Sequence, residues 1–335
     1  MSKAKKISLF SVFSIFIVLA CAVVIWYFGD TYPQFYKISQ KEFEIAGLSE
    51  GFVPQGLCHF DEQDLFFYSG YMKDGSASRI YVYDNLGKCD FKYITLTVDG
   101  QDYVGHAGGI ATDGKSVWVS GDGMLHRFDL EALLLADHKT KLEVKDSKEM
   151  LNGADFLKYE KYPEEDQGYL WVGEFHKEGK YDTKESHHIQ CSDGSINKAL
   201  TYAYFVGYQE PCGITDIPML ALSTGSLVQG MEMYGGKVIL SASYGLSDSH
   251  IKTYDINLQA DQPVYGAYEV DGLTVQLYIA DSSNLISDLK APSMSEEIVA
   301  VGNKLYIMFE NACKKYSAFT REKLENVFSY NLEQK

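Results

Sequence analysis

Along most of the chain, apolar and polar residues alternate with a period of two in short runs closed by turn residues. That pattern reads as β-strand rather than helix. The runs follow a repeated grammar. Each unit opens with a small-residue segment that turns apolar: ProGlnGlyLeu (54–57), AlaGlyGlyIle (107–110), GlyAlaAspPheLeu (153–157), ValGlnGlyMet (228–231) and SerGluGluIle (295–298). A turn and a strongly β-prone run come next: Leu65 to Gly70, Val117 to Gly121, Tyr169 to Glu174, Val238 to Ser243 and Leu305 to Glu310. Three units add a third strand with a common ending, in ArgIleTyrValTyrAsp84, MetLeuHisArgPheAsp129 and HisIleLysThrTyrAsp255.

A small antiparallel sheet cannot bury its face alone, and repeats of roughly 40 to 50 residues built this way assemble into a β-propeller. Here the openings lie about 45 to 75 residues apart, so some blades carry insertions. The candidates are Asp137 to Met150, Lys177 to Asn197, Gly207 to Gly225 and Gln259 to Asn284. The expected fold is all-β, a propeller of five blades, or six if an insertion hides one. Tyr36 to Leu48 would supply the outer strand that closes the ring against Val327 to Tyr330. A two-sheet sandwich would not account for the recurring opening.

Upstream the pattern changes. From Ile7 to Phe28 no residue is charged, which matches the ~20 apolar residues needed to cross a bilayer core. Lys3, Lys5 and Lys6 precede this run and Asp30 follows it, so the N-terminus is expected in the cytoplasm and the rest outside. Trp26 and Tyr27 stand where an interfacial aromatic belt would be. The run outlasts the core of a cleaved signal peptide, and it continues past Cys21, unlike a lipoprotein processing site. The expected layout is a basic stub (1–6), a transmembrane signal-anchor helix (7–28), a linker with the ring-closing strand (29–50) and an extracytoplasmic propeller domain (51–335). Beyond Cys21 five cysteines remain, so at least one stays free or pairs elsewhere; Cys58 with Cys89 and Cys191 with Cys212 are the short-range pairs to test.

Composition narrows the ligand. The 335 residues are 46% hydrophobic and 23% charged, with 25 Tyr, 18 Phe and only 7 Pro, an ordinary globular balance weighted toward strand formers. The formal charge of −16 excludes nucleic acid as a general partner, because no basic excess is available to displace counterions from phosphates. It fits a cation or a neutral sugar or ester better than an anionic surface, and most of it serves solubility.

In a propeller the starts of first strands and the ends of second strands meet on one rim of the channel. The starts contribute Gln55, His106, Asp155, Gln229 and either Glu296 or Glu297; the ends contribute Tyr71, Asp122, Glu174, His176, Tyr244, Glu310 and Asn311. A concave rim with a few placed polar groups is what a ligand pocket needs. Gln55 and Gln229 could equally bond a neighbouring blade. His106 is the candidate base, with a structural histidine the competing reading, and His187 and His188 are expected in solvent. Asp155, Glu296, Glu297 and Glu310 could hold a hard cation such as calcium, or two carboxylates among Asp155, Glu174, Glu296 and Glu310 could serve as glycosidase acid and base. Asp129 and Asp255 read as turn residues.

The grammar of ProGlnGlyLeu, GlyHisAlaGlyGlyIleAlaThrAspGly and LysLeuTyrIleMetPheGlu resembles that of extracytoplasmic propellers of the gluconolactonase, paraoxonase-like and strictosidine-synthase-like group, over residues 51 to 331. The resemblance implies a channel site, often with calcium, and hydrolysis of lactones or esters. The group usually has six blades and an early Glu where this chain has Gln55. Three readings of function stand side by side: a surface propeller binding a small ligand or cell-envelope carbohydrate, a cation-dependent lactonase or esterase-like hydrolase with His106 as base, and a carboxylate-based glycoside hydrolase. The first is preferred, since no GxSxG nucleophile motif is present.

Overall fold

The computed structural model describes residues 31–85, 91–162, 168–208, 211–258 and 267–333, together with residues 14, 15, 17 and 18. Apart from those four positions, the apolar run from Ile7 to Phe28 lies outside the described residues, as does Cys89. No helix among the described residues is long and apolar enough to cross a membrane.

The chain folds into five antiparallel blades. Blade 1 is built from Phe52–Phe60, Leu65–Met72, Arg79–Asp84 and Phe91–Val98; blade 2 from Gly109–Thr112, Ser116–Gly121, Met124–Asp129 and Asp146–Glu149. Blade 3 comprises Phe156–Glu160, Tyr169–Gly173, Ala199–Phe205 and Leu220–Thr224, and blade 4 Val228–Tyr234, Lys237–Ala242, Ser249–Tyr254 and Leu285–Ala291. Blade 5 takes Ser295–Val301, Lys304–Phe309 and Asn326–Asn331 from the C-terminal end and Ser39–Glu44 from the N-terminal end. This last strand pairs with Asn326–Asn331, Ser39 opposite Tyr330, so both ends of the domain lock one blade. The first strands neighbour one another in a closed circuit, blade 5 returning to blade 1. The count is five, not the six usual in the group that the sequence resembles.

The recurring glycine has a steric cause. A Cβ at Gly56 would come within 2.7 Å of the Ile110 nitrogen, at Gly109 within 2.5 Å of the Leu157 nitrogen, and at Gly230 within 2.7 Å of the Glu297 Cα. Each contact is with the first strand of another blade, closer than any side chain tolerates. A ring of only five blades brings these strands so near that glycine is required where they pass. Between blades the cores are apolar and aromatic: Phe156, Trp171, Met231 and Leu240 join blades 3 and 4, while Phe35, Ile239, Ile307 and Phe328 join blades 4 and 5.

Two expected insertions turn out to be strands. Within 137–150, Lys141–Glu143 pairs with the outer strand of blade 1 and Asp146–Glu149 completes blade 2; within 207–225, Leu220–Thr224 completes blade 3. The segment after Tyr254 leaves its own blade, and its hairpin, Ala267–Val270 with Leu273–Ile279, extends blade 3 by parallel pairing with Leu220–Thr224. Asp129 caps a short helix, Leu130–Leu135, by accepting the Ala132 N–H at 3.0 Å. Cys191 and Cys212 are not joined. Both are free thiols in one apolar cluster, and Cys58 and Cys313 are free and buried as well.

Candidate site at the channel mouth

Antiparallel register puts the start of each first strand beside the end of the second: Pro54 opposite Gly70, Phe156 opposite Gly173, Ser295 opposite Phe309. The loops that follow second strands therefore ring the channel mouth. A chain of contacts runs round this rim. Gln55 donates its amide to the Glu310 carboxylate at 2.9 Å and to the Pro54 carbonyl at 2.7 Å. Glu310 is hydrogen-bonded in turn to Glu296. Lys315 lies near Glu310, donates to the Tyr71 hydroxyl, and stands over the Tyr71 and Tyr316 rings at 4.7 and 4.9 Å.

From Tyr71 the rim continues to the His106 ring, 4.7 Å between centroids. The His106 backbone N–H donates to Asp122 at 3.2 Å, a residue held at positive φ in the turn after the second strand of blade 2. Asp155 accepts the Phe175 N–H at 2.7 Å, and Phe175 faces Tyr244, whose hydroxyl takes a hydrogen bond from Lys180 at 3.1 Å. Gln229 is half-buried and makes no hydrogen bond among the described residues.

Burial governs the protonation of this rim. It pushes Asp155 up to about 7 against the opposing Phe175 N–H, with Glu174 and Asp122 adding to the rise. Burial likewise raises Glu310 to about 7, with Lys315 and Gln55 pulling the other way. For Glu296, burial and the neighbouring Glu310 and Glu297 drive the carboxyl well up. The direction of these shifts makes Glu296 the protonated donor and Glu310 the acceptor. His106 is open to solvent but walled by protein; desolvation lowers it, with Asp122 opposing and Lys315 assisting.

Other residues expected at the rim belong to the scaffold. Glu174 is buried and accepts His187 Nδ1 at 2.7 Å and the Leu200 N–H at 2.9 Å. His187 is fully buried rather than in solvent, its Nε2 3.0 Å from Asp271. Desolvation alone would lower it, but Glu174 and Asp271 outweigh that and raise it. His188 is partly buried, 3.2 Å from the Thr183 hydroxyl. His176 is buried against Ser226 at 2.9 Å. Asn311 is buried in its own loop, donating to the Ser293 carbonyl and accepting the Leu324 N–H. In each case the segment after the second strand folds back over the residue, which the strand pattern does not reveal.

Glu297 sits one layer deeper, wholly buried, with its carboxyl toward the Leu157 and Met231 N–H groups at 3.4 and 3.3 Å. Of the three carboxyls expected to hold calcium, Glu296 and Glu310 bond each other and Glu297 faces backbone donors. Among the described residues no group of three or more His, Cys, Asp or Glu is arranged to hold a metal. Lys315, Tyr316, Phe175 and Lys180 are rim residues that the strand grammar passes over, because they lie in loops with no periodic signal.

No family profile and no curated protein matches the sequence. Several solved structures align with the chain at low identity. An exo-β-1,3-galactanase from Phanerochaete chrysosporium, in complex with β-1,3-galactotriose, aligns over 88% of this chain and 63% of its own at 11% identity and a TM-score of 0.46. The tail fiber of Staphylococcus aureus phage P68 aligns over 94% and 56% at 9% identity and 0.47. An engineered GH43 glycoside hydrolase aligns over 68% and 40% at 12% identity and 0.31. The chain spans less than two thirds of the length of each.

Proposed function

We propose that the channel mouth binds a neutral, hydroxyl-rich ligand, a small molecule or a carbohydrate of the cell envelope, on a propeller held outside the membrane by Ile7 to Phe28. One observation carries this reading. The rim sets aromatic faces, Tyr71, Phe175 and Tyr244, beside amides and buried carboxyls whose environment favours the neutral acid. Sugars present apolar ring faces edged by hydroxyls, and such a rim offers aromatic surface beside donors and acceptors. The unengaged Gln229 amide adds a hydrogen-bonding group that needs no rearrangement to meet a ligand.

A second reading draws on a separate feature. Asp155 and Glu310, both raised to about 7, have the acidity that a general acid of glycoside cleavage uses. Calorimetric titration of the full-length chain in detergent against neutral mono- and oligosaccharides tests the first reading. Tyr244→Ala and Gln229→Ala should each weaken binding by about tenfold. A folded chain that binds none of the panel refutes it. Release of nitrophenol from aryl glycosides that disappears in Asp155→Asn would instead establish hydrolysis.

A further inference from the structure

The chain enters the propeller on the same face as the mouth. Tyr32 donates its hydroxyl to Asp248 at 2.8 Å, Tyr36 donates to Glu322 at 2.9 Å, and the Thr31 hydroxyl lies 3.4 Å from Glu322. Asp248 and Glu322 both sit in loops that join a second strand to a third, the loops that ring the mouth. From Tyr32 the short helix Pro33–Ile38 runs between blades 4 and 5, its Phe35 buried against Phe309 and Phe328, and the chain turns back into the ring-closing strand Ser39–Glu44.

Those two loops are built alike. In blade 4 the order is Tyr244 at the mouth, Leu246 with 61% of its surface exposed, then Asp248 holding the entering chain. In blade 5 the order is Tyr316 at the mouth, Phe319 with 71% exposed, then Glu322 holding the entering chain. The second loop also carries the exposed Lys314 and Lys323, basic residues at the edge of a chain that is acidic overall. Exposed apolar side chains beside Lys and Arg are the composition of a surface that rests in a lipid headgroup layer.

The length of chain before this point fixes the distance. Gly29 and Asp30 alone separate Phe28 from Thr31, and three Cα steps reach at most about 11 Å. We infer that the propeller stands mouth-down on the bilayer, with Leu246 and Phe319 in the headgroup layer and the exposed Lys314 and Lys323 facing lipid phosphates. The inference rests on Ile7 to Phe28 acting as the membrane anchor. Any ligand then reaches the mouth through the gap between the domain and the lipid surface.

The test uses the full-length chain in phosphatidylcholine and phosphatidylglycerol vesicles. Phe319→Cys and, on the opposite face, Leu135→Cys are labelled with an environment-sensitive fluorophore, and the parent chain gives the background from its native thiols. With nitroxide-labelled lipid, the label at 319 should lose about half of its emission, as expected for a group some 5–10 Å into the interface, and that at 135 should be unaffected. Quenching at 135 alone, or at neither site in a chain that resists carbonate extraction, overturns the orientation while leaving the anchor standing. A chain that carbonate strips from the vesicles removes the anchor itself, and the inference with it.

Discussion

The two ends of one channel treat buried carboxyls in opposite ways. At the mouth, Glu296 and Glu310 bond each other and receive the Gln55 amide, and burial favours keeping a proton between them. Toward the far end, Glu232 accepts the Met233 N–H at 2.7 Å and the Ala300 N–H at 2.6 Å and is paired with Lys158. Desolvation would lower Lys158, but Glu232 and Glu160 outweigh it and hold the ammonium charged. Partners differ where residue type does not: the far-end carboxyl is given a cation and two backbone donors, whereas the mouth carboxyls are given each other. The far-end carboxyl is thereby committed to partners within the protein, while the mouth keeps hydrogen-bonding capacity for a ligand.

Breaking the ion pair should give the largest effect. Lys158→Met leaves Glu232 buried without its cation, and the expected loss is about 3–5 kcal/mol of stability, read from the midpoint of denaturant unfolding. A loss within experimental error would show that the two ends do not differ as described.

The pH profile of the melting temperature gives an intermediate effect. Asp155 and Glu310 are raised above their unfolded values, so their contribution is full below about pH 4 and is lost as pH rises through about 7. Stability from these groups therefore falls across that window. Asp155→Asn should flatten the slope by a few degrees, and an unchanged profile would mean that Asp155 is already ionised in the folded chain.

The smallest effect sharpens the contrast. Glu296→Gln replaces a protonated carboxyl with a neutral donor of the same shape, and should cost no more than about 1 kcal/mol. Denaturation of this variant beside Lys158→Met compares the two ends directly; equal losses would contradict the proton-sharing picture.

Much of the fold was legible because its signals are local. Five openings gave five blades, and Gly56, Gly109 and Gly230 mark where first strands pass too closely for a Cβ. The rim was legible in part. Gln55, Asp155 and Glu296 could be placed from their position at the strand starts, whereas Glu174, His176 and Asn311 are covered by segments that carry no repeat. The far-end pair had a readable sign that the grammar did not use: Lys158 lies two residues past Phe156 and Glu232 two past Gly230, so opposite charges fall close together on the first strands of adjacent blades.

What the amino-acid order determined by itself is the module, its number and its register, since alternation and turn chemistry act over a few neighbouring residues. Which carboxyls carry charge, and on which face the chain enters, were decided only when the ring closed. Gln55 meets Glu310 across 255 positions and Thr31 meets Glu322 across 291. Contacts of that span exist only after all five blades are assembled, and the dielectric surroundings that set a proton's place exist only with them.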